Sequence, residues 1–121
     1  GLRRATQAAL ENAGVCAADI GLISWSPSAT APDSKIVNLR DALFPQVPLA
    51  TTVFHTGYMP ATSALHSLAC ILGVLRAKRP IWRQHFGIEK FDDTPMPADP
   101  KYVLAVASSS TGNSHAVVIR R

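Results

Sequence analysis

Serine and histidine side chains are the first candidates for chemistry in this chain. Ser63 and His66 are three residues apart in a segment with helical periodicity, so both are expected on one helix face. A serine–histidine nucleophile also needs a third group that orients the histidine, and a site for the oxyanion. The sequence shows neither, and small polar residues in a tightly packed helix are the simpler interpretation.

The other histidines and the cysteines do not indicate a metal or cofactor site. His55 falls in a predicted loop, where one backbone hydrogen bond is its expected role. Three histidines have no metal-ligand spacing with one another: His66, His85 and His115. Cys16 and Cys70 form no CxxC or zinc pattern. Cys70 lies in the middle of an apolar helix and is expected to behave as a small hydrophobe. We predict no metal and no cofactor.

Three helices are predicted to position these residues. The first is Leu2–Ala13, and Gly14 is placed to close it in the left-handed conformation. A loop over Ser26–Asp33 precedes the second helix, and Asp33 or Ser34 caps that helix. Its inner stripe is Ile36, Leu39 and Leu43, and Pro45 ends it. The third runs from Pro60 to about Arg76 and has small or apolar residues on nearly every side, so it must pack on more than one face.

Short runs rich in β-branched and aromatic residues predict four strands. They are Ile20–Trp25, Leu49–Phe54, Tyr102–Ala107 and His115–Ile119. The order of elements is therefore α-β-α-β-α-β-β, with an irregular stretch before the last two strands. Strands separated by helices pair in parallel, and the final pair can be antiparallel. This alternation predicts a layered α/β fold with a mixed sheet.

Four stretches of the chain occur in an order that is typical of one enzyme family. They are Leu10–Val15 with Ala18–Ile20, then Thr51–Thr52 with Thr56–Tyr58 and Ala61–Ala64, then Leu75–Ile81, and finally Ser108–His115. In this order and spacing they resemble the C-terminal half of β-ketoacyl synthases, within the thiolase-like superfamily. The resemblance extends from Leu2 to about Ile119. It implies that residues 1–121 are a single thiolase-like domain that belongs to a larger unit.

The resemblance also shows where this chain departs from the family's catalytic set. In the family, two histidines polarise the carbonyl of a malonyl thioester, and a cysteine in the N-terminal half holds the acyl group. The two histidine positions fall on Ser26 and Tyr58, and the family's lysine position falls on Val53. Thr30 alone matches the loop that follows the first histidine. A shifted alignment would place His55 on the second histidine position, but that shift breaks the threonine–glycine match and the helix register.

These departures imply that the family's reaction is not run by this chain alone. The hydroxyls of Ser26 and Tyr58 can donate hydrogen bonds, but they cannot accept and return a proton near neutral pH as histidine does. Val53 supplies no charge. The resemblance therefore implies a non-catalytic component of fatty-acid or polyketide synthesis, like the chain-length factors. The alternatives are a thiolase-like enzyme with altered acyl-transfer chemistry at Ser26, His55 or Tyr58, and a remnant with a scaffolding role.

One concentrated basic run consists of Arg76, Lys78, Arg79 and Arg83. Through the resemblance, it suggests a docking surface for an acyl carrier protein, which is acidic. The plainer interpretation is a solvated helix end, whose exposed carbonyl groups favour nearby cations.

The composition narrows the partners and the location. At 121 residues the chain is long enough for one domain, and a net charge of +4 without interleaved aromatic residues does not predict nucleic-acid binding. The longest apolar stretch, Ala61–Leu75, is too short and too polar for a membrane span. The cysteine usage and the absence of a leader predict a reducing cytoplasm.

The third helix predicts a partner. Few other elements are available to cover it, and in whole thiolase-like enzymes the corresponding helix is sandwiched between sheets from the two halves. An uncovered face would carry apolar residues from the set Leu65, Leu68, Leu72 and Leu75. A ketosynthase-like subunit or a second copy of the chain is expected to cover that face.

Overall fold

The computed structural model describes residues 1–25, 31–50, 63–77, 100–108 and 113–121. Within these ranges the helices are α1 (Leu2–Ala13), α2 (Ala31–Leu43) and α3 (Ser63–Arg76), with a 3₁₀ turn at Ala17–Asp19. The strands are β1 (Ile20–Ser24), β2 (Leu49–Ala50), β3 (Tyr102–Ser108) and β4 (Ser114–Arg120). The predicted alternation of helices and strands is confirmed.

The four strands form one mixed sheet in the order β2-β1-β3-β4. β1 pairs in parallel with both β2 and β3. β3 and β4 are antiparallel, from Tyr102 opposite Arg120 to Ser108 opposite Ser114. The predicted antiparallel final pair is therefore confirmed. Of the predicted strand Leu49–Phe54, only Leu49–Ala50 falls within the described residues.

The sequence predicts α1 to the residue. Leu2, Thr6 and Leu10 recur at a spacing of four, and these three side chains are buried on one face. Gly14 ends the helix with a φ of 68°, and its N–H donates to the carbonyl oxygen of Glu11. A residue with a Cβ would be strained in this left-handed conformation, so glycine is the expected cap.

The second helix begins earlier than the sequence predicts. The loop prediction runs to Asp33, with a cap at Asp33 or Ser34, whereas α2 begins at Ala31. The prediction is wrong because it treats Pro32 as a loop residue. Proline is tolerated in the first turn of a helix, where backbone N–H groups have no partner within the helix. The predicted inner stripe is confirmed: Ile36 and Leu39 are buried, and Leu43 packs against their cluster.

Helices cover both faces of the sheet. α1 and α2 bury their apolar residues in a cluster with Ile23, Leu104 and Val106. α3 packs in a separate cluster with Leu22 and Val103. The chain passes outward from β1 to β2 through α2, then returns past β1 to β3 through α3. Right-handed crossovers in opposite directions place their helices on opposite faces.

A β-bulge at Gly21 sets which side chains of β1 face each cluster. Ile20 is paired with Tyr102 and Leu22 with Val103, so Gly21 is an extra residue on β1. The bulge changes the alternation, and Ile20 and Ile23 both join the cluster under α1 and α2, while Leu22 joins the other. A Cβ at position 21 would lie 2.9 Å from the Cβ of Pro100, so the close approach of the two segments requires glycine.

Helix α3 packs on the sheet through one side and leaves another side open. Ile71 and Leu75 are buried, and Leu68 and Leu72 are half-buried against the same cluster. Leu65, in the first turn, is 71% exposed. Of the four leucines predicted for an uncovered face, Leu65 is therefore exposed, Leu75 is not, and the other two are half-covered by the sheet.

Candidate functional site

The best candidate position for a site is the edge of the sheet where the parallel strands β1, β2 and β3 have their carboxyl ends. From β1 the chain continues to α2 on one face, and from β2 it continues to α3 on the other face. In open α/β sheets, neighbouring strands with such divergent connections form a crevice at their carboxyl ends, and ligands bind there. The backbone joins the two strands at this point, because the Trp25 N–H donates to the Ala50 carbonyl oxygen at 3.0 Å.

The residues predicted for the vestigial site follow these two strand ends in the sequence. Ser26 comes directly after Trp25, and Val53 comes three residues after Ala50. Five predicted positions lie outside the described residues: Ser26, Thr30, Val53, His55 and Tyr58. The structure shows that the end of β1 lies beside the last described residue of β2, Ala50. The proximity of Ser26, Val53 and Tyr58 to one another stays a prediction.

The third strand end carries a pair of hydroxyl groups. Ser24 of β1 is paired with Ala105, so β3 continues for three more residues, about 10 Å, beyond β1. At its end the Ser108 and Ser114 hydroxyl oxygens are 3.3 Å apart. This hydrogen bond joins the last residue of β3 to the first residue of β4. The connection 109–112, which aligns with the family's glycine-rich loop, lies outside the described residues.

A histidine that sequence reasoning considered only as a metal ligand also lies near this edge. His115 is exposed and stands opposite Ala107 in the β3–β4 pair. Val117, two residues further on β4 and on the same face, is 51% exposed. The face of the β3–β4 pair that carries these residues is therefore only partly covered by the chain itself. The alternation along one strand places His115 and Val117 on the same face, and only the pairing register places His115 opposite Ala107.

Helix α3 brings His66 together with Cys70, whereas the sequence suggests Ser63 as the partner of His66. The Nε2 atom of His66 lies 3.9 Å from the Sγ atom of Cys70, and both residues are half-buried. The side chain of Ser63, the partner first considered for His66, is outside the described set. The spacing of four residues between His66 and Cys70 was the available signal, since residues at i and i+4 are neighbours on a helix surface.

The predicted basic surface is described at one residue. Arg76 is exposed and is the last residue of α3, while Lys78, Arg79 and Arg83 lie outside the described residues. The preceding Leu75 belongs to the same cluster as Val103, the second residue of β3. Arg76 therefore lies toward the edge where β3 begins, which is opposite to the edge with the strand ends.

Two general features of the described residues bear on possible sites. No helix among them is long and apolar enough to cross a membrane. In the same part of the chain, no three or more histidine, cysteine or acidic side chains are gathered where they could hold a metal ion.

Comparison with known proteins identifies the fold. No family model and no curated protein matches the chain. Among solved structures, the chain is similar to an oxazolomycin ketosynthase domain (OzmH KS8) of Streptomyces albus JA3453, with a TM-score of 0.73 and 21% sequence identity. The match covers 99% of this chain and 38% of that chain, so this chain spans well under half of the solved domain. The chain has the thiolase-like α/β fold of part of a ketosynthase.

Proposed function

From this ketosynthase-like fold, we propose that the chain is a non-catalytic component of a fatty-acid or polyketide synthesis system, comparable to a chain-length factor. In this role it shapes the cavity for an acyl chain and does not form or break a carbon–carbon bond. Reaction by decarboxylative condensation would require proton acceptors and a positive charge near the malonyl thioester.

One observation carries the proposal: the carboxyl end of β1 lies beside Ala50 of β2, joined to it by the Trp25–Ala50 hydrogen bond, at the edge where a ligand site is expected in such a sheet. The residues that the sequence supplies after these strand ends are Ser26, Val53 and Tyr58, in place of histidine, lysine and histidine. Hydroxyl groups and a valine side chain can line an acyl cavity, and the hydroxyl groups can donate hydrogen bonds. They lack the proton transfer and the charge that the reaction needs.

The test is a decarboxylation and elongation assay on the purified chain. Malonyl-carrier thioester is supplied with and without an acyl primer, and released carbon dioxide and elongated product are measured. We expect neither product above the background without protein. Turnover that is lost in Ser26→Ala or Tyr58→Phe, but kept in the exposed control variant Gln7→Ala, would overturn the proposal and establish acyl-transfer chemistry instead.

The component is proposed to act with a second chain on the open side of α3. The match covers 38% of the solved ketosynthase domain, so most of that domain has no counterpart in this sequence. Leu65 and Val117 expose large apolar side chains in the isolated chain, at 71% and 51%. Burial of such side chains is favourable by roughly 25 cal/mol per Å² of apolar surface.

A second copy of the chain is the occupant that we propose. Residues 60–75 contain no charged side chain, although the whole chain carries a net charge of +4. Two copies can therefore meet through the part of α3 that precedes Arg76 without bringing like charges together, whereas other surfaces of a basic protein carry charges that repel. A stable contact of this kind would bury on the order of 1,600 Å² in total.

Size-exclusion chromatography with light scattering tests the contact. The chain is expected to dimerise, and Leu65→Asp is expected to shift it toward the monomer without loss of folding, because Leu65 is already exposed within one chain. The matched control is Ala8→Asp, which adds the same charge at an exposed position on α1. A chain that stays monomeric over a wide concentration range and takes up no hydrophobic dye would contradict the contact. Dimer formation only with an added ketosynthase would replace the second copy by that subunit.

An acyl carrier protein is the proposed transient partner of the basic run. Arg76 is exposed at the end of α3 and supports an electrostatic contact with an acidic carrier. Binding to carrier protein at low salt is expected to weaken in Arg76→Glu and to remain in Arg3→Glu, an exposed charge reversal on α1. Equal weakening by both variants would indicate a non-specific charge effect and would remove the docking role.

A further inference from the structure

The half-buried side chains of His66 and Cys70 form a preorganised pair on α3. The imidazole Nε2 and the thiol Sγ are 3.9 Å apart on successive turns of one helix. Tetrahedral Zn²⁺ binds imidazole nitrogen at about 2.0–2.1 Å and thiolate sulfur at about 2.3 Å, which places those two ligand atoms about 3.5 Å apart. A small side-chain rotation would bring His66 and Cys70 to that separation.

We propose that His66 and Cys70 are half of a Zn²⁺ site, and that the same pair from a second copy of the chain completes it. From the sequence no metal is predicted, because the histidines have no metal-ligand spacing with one another and Cys70 is expected to be a small hydrophobe. The 3.9 Å contact changes that interpretation. Zn²⁺ replaces the thiol proton of Cys70, which passes to solvent, and the neutral imidazole coordinates through Nε2.

We assign the remaining ligands to a second copy, because the described residues of one chain supply only this pair. No group of three or more potential ligands is gathered there, and a structural zinc site has four. A two-fold contact places the same surface of both copies face to face, so two ligands from each chain become a His₂Cys₂ set. This part of the inference rests on the proposed contact through α3.

The neighbouring positions on α3 allow such an approach. Ala69, Gly73 and Ala77 are exposed and have little or no side chain. At about 100° per residue, Gly73 lies nearly opposite the buried Ile71, and His66 lies beside it. Helices pack 8–10 Å apart depending on the side chains between them, and small residues favour the shorter distances. Short distances are needed because the cysteine side chain reaches only a short way from its helix.

Titration with Co²⁺, which substitutes for Zn²⁺ and is coloured, tests the site on the full chain in the presence of a thiol-free reductant. We expect a thiolate-to-cobalt charge-transfer band that saturates at one Co²⁺ per two chains, with a shift from monomer to dimer in light scattering and reversal by a chelator. Cys70→Ser and His66→Gln are each expected to lower the affinity about 100-fold or more, since loss of an outer-shell partner already costs 10–100-fold. The control variant Cys16→Ser changes the other, exposed thiol and is expected to retain the band.

Several results would overturn the zinc site. A band that persists in Cys70→Ser, or saturation at one Co²⁺ per chain without dimerisation, would show that the pair does not form a shared site. A dimer that is unaffected by chelator but broken by Leu65→Asp would leave the α3 contact standing and remove the metal. A Co²⁺-linked dimer that also decarboxylates malonyl thioester would retain the zinc site and refute the non-catalytic role. Circular dichroism of each variant distinguishes loss of ligand from loss of fold.

Discussion

Replacement of Gly21 by alanine is the sharpest test of the sheet that positions the candidate site. The new Cβ would lie 2.9 Å from the Pro100 Cβ and 3.4 Å from its Cα. Carbon atoms in favourable contact are about 3.5–4.0 Å apart, so the closer pair would overlap by about 0.6 Å or more. Neither atom can rotate away, because the new Cβ is bonded directly to the backbone and the Pro100 Cβ is fixed in the proline ring. Overpacking of this kind costs about 1–3 kcal/mol.

The assay is urea unfolding followed by circular dichroism, with thermal melting as a second readout. For a domain of this size, 1–3 kcal/mol corresponds to a fall in Tm of roughly 3–15 °C. The matched control is Gly73→Ala on α3, where an added Cβ meets nothing within 4 Å of the same chain. Because Gly73 lies in the proposed contact between copies, this control is measured at concentrations where light scattering shows the monomer. That change is expected to stabilise the chain by about 0.5–1 kcal/mol, because glycine in a helix is less favourable than alanine.

A double variant tests whether Pro100 is the cause. Pro100→Gly removes the clashing Cβ, so the cost of Gly21→Ala is expected to be smaller in that background than in the unchanged chain. The difference between the two costs is the coupling energy of the pair. If Gly21→Ala leaves the free energy of unfolding unchanged, or costs the same in both backgrounds, the bulge and its contact with Pro100 are not as described.

Two further predictions concern α1 and the turn that follows it. Thr6 is fully buried and its hydroxyl has no hydrogen-bond partner among the described residues. Thr6→Val is therefore expected to raise the free energy of unfolding by about 1 kcal/mol. Thr6→Ser keeps the hydroxyl and is not expected to raise it. Equal stability of the wild type and the valine variant would indicate that the hydroxyl is satisfied. At Asp19, the backbone N–H of Cys16 and then its thiol donate to the carboxylate, at 2.9 and 3.3 Å, and lower the pKa of Asp19 below its ordinary value of 3.8. A carboxyl group whose pKa is lowered by folding stabilises the folded state above its unfolded pKa, and this stabilisation is lost as the pH falls through the folded pKa. Asp19→Asn is therefore expected to be less stable than the wild type at pH 6 and equal to it in strong acid. A difference in stability that does not change with pH would refute the charge as the cause.

Local patterns were sufficient where one element is determined by its own residues. The bounds of α1 follow from apolar residues at helical spacing, Leu2, Ala5, Ala9 and Leu10, and from a glycine that can adopt a positive φ. The last two strands were predicted within one residue at each end, because short apolar runs flank a polar connection. The start of α2 failed for a local reason as well, since a proline is compatible with both a loop and a first helical turn.

The candidate site was less accessible to such reasoning. The resemblance predicted which positions replace the catalytic residues, and the strands that precede two of them are paired side by side. The pairing of His66 with Cys70 was missed because His66 was compared with Ser63 and with the other histidines, and Cys70 was treated only as a small hydrophobe. A contact between unlike side chains at i and i+4 becomes informative only when their rotamers are known.

The sequence by itself therefore determined the order of the elements, the α/β class and the apolar faces, since each depends on residues within a few positions of one another. Only the tertiary structure decided the strand order β2-β1-β3-β4, the bulge at Gly21 and the exposure of Leu65. These features depend on contacts between residues far apart in the chain, such as Gly21 with Pro100. Sequences with the same local propensities can differ in these features, because the free energy that selects them comes from packing between elements and not from interactions within one element.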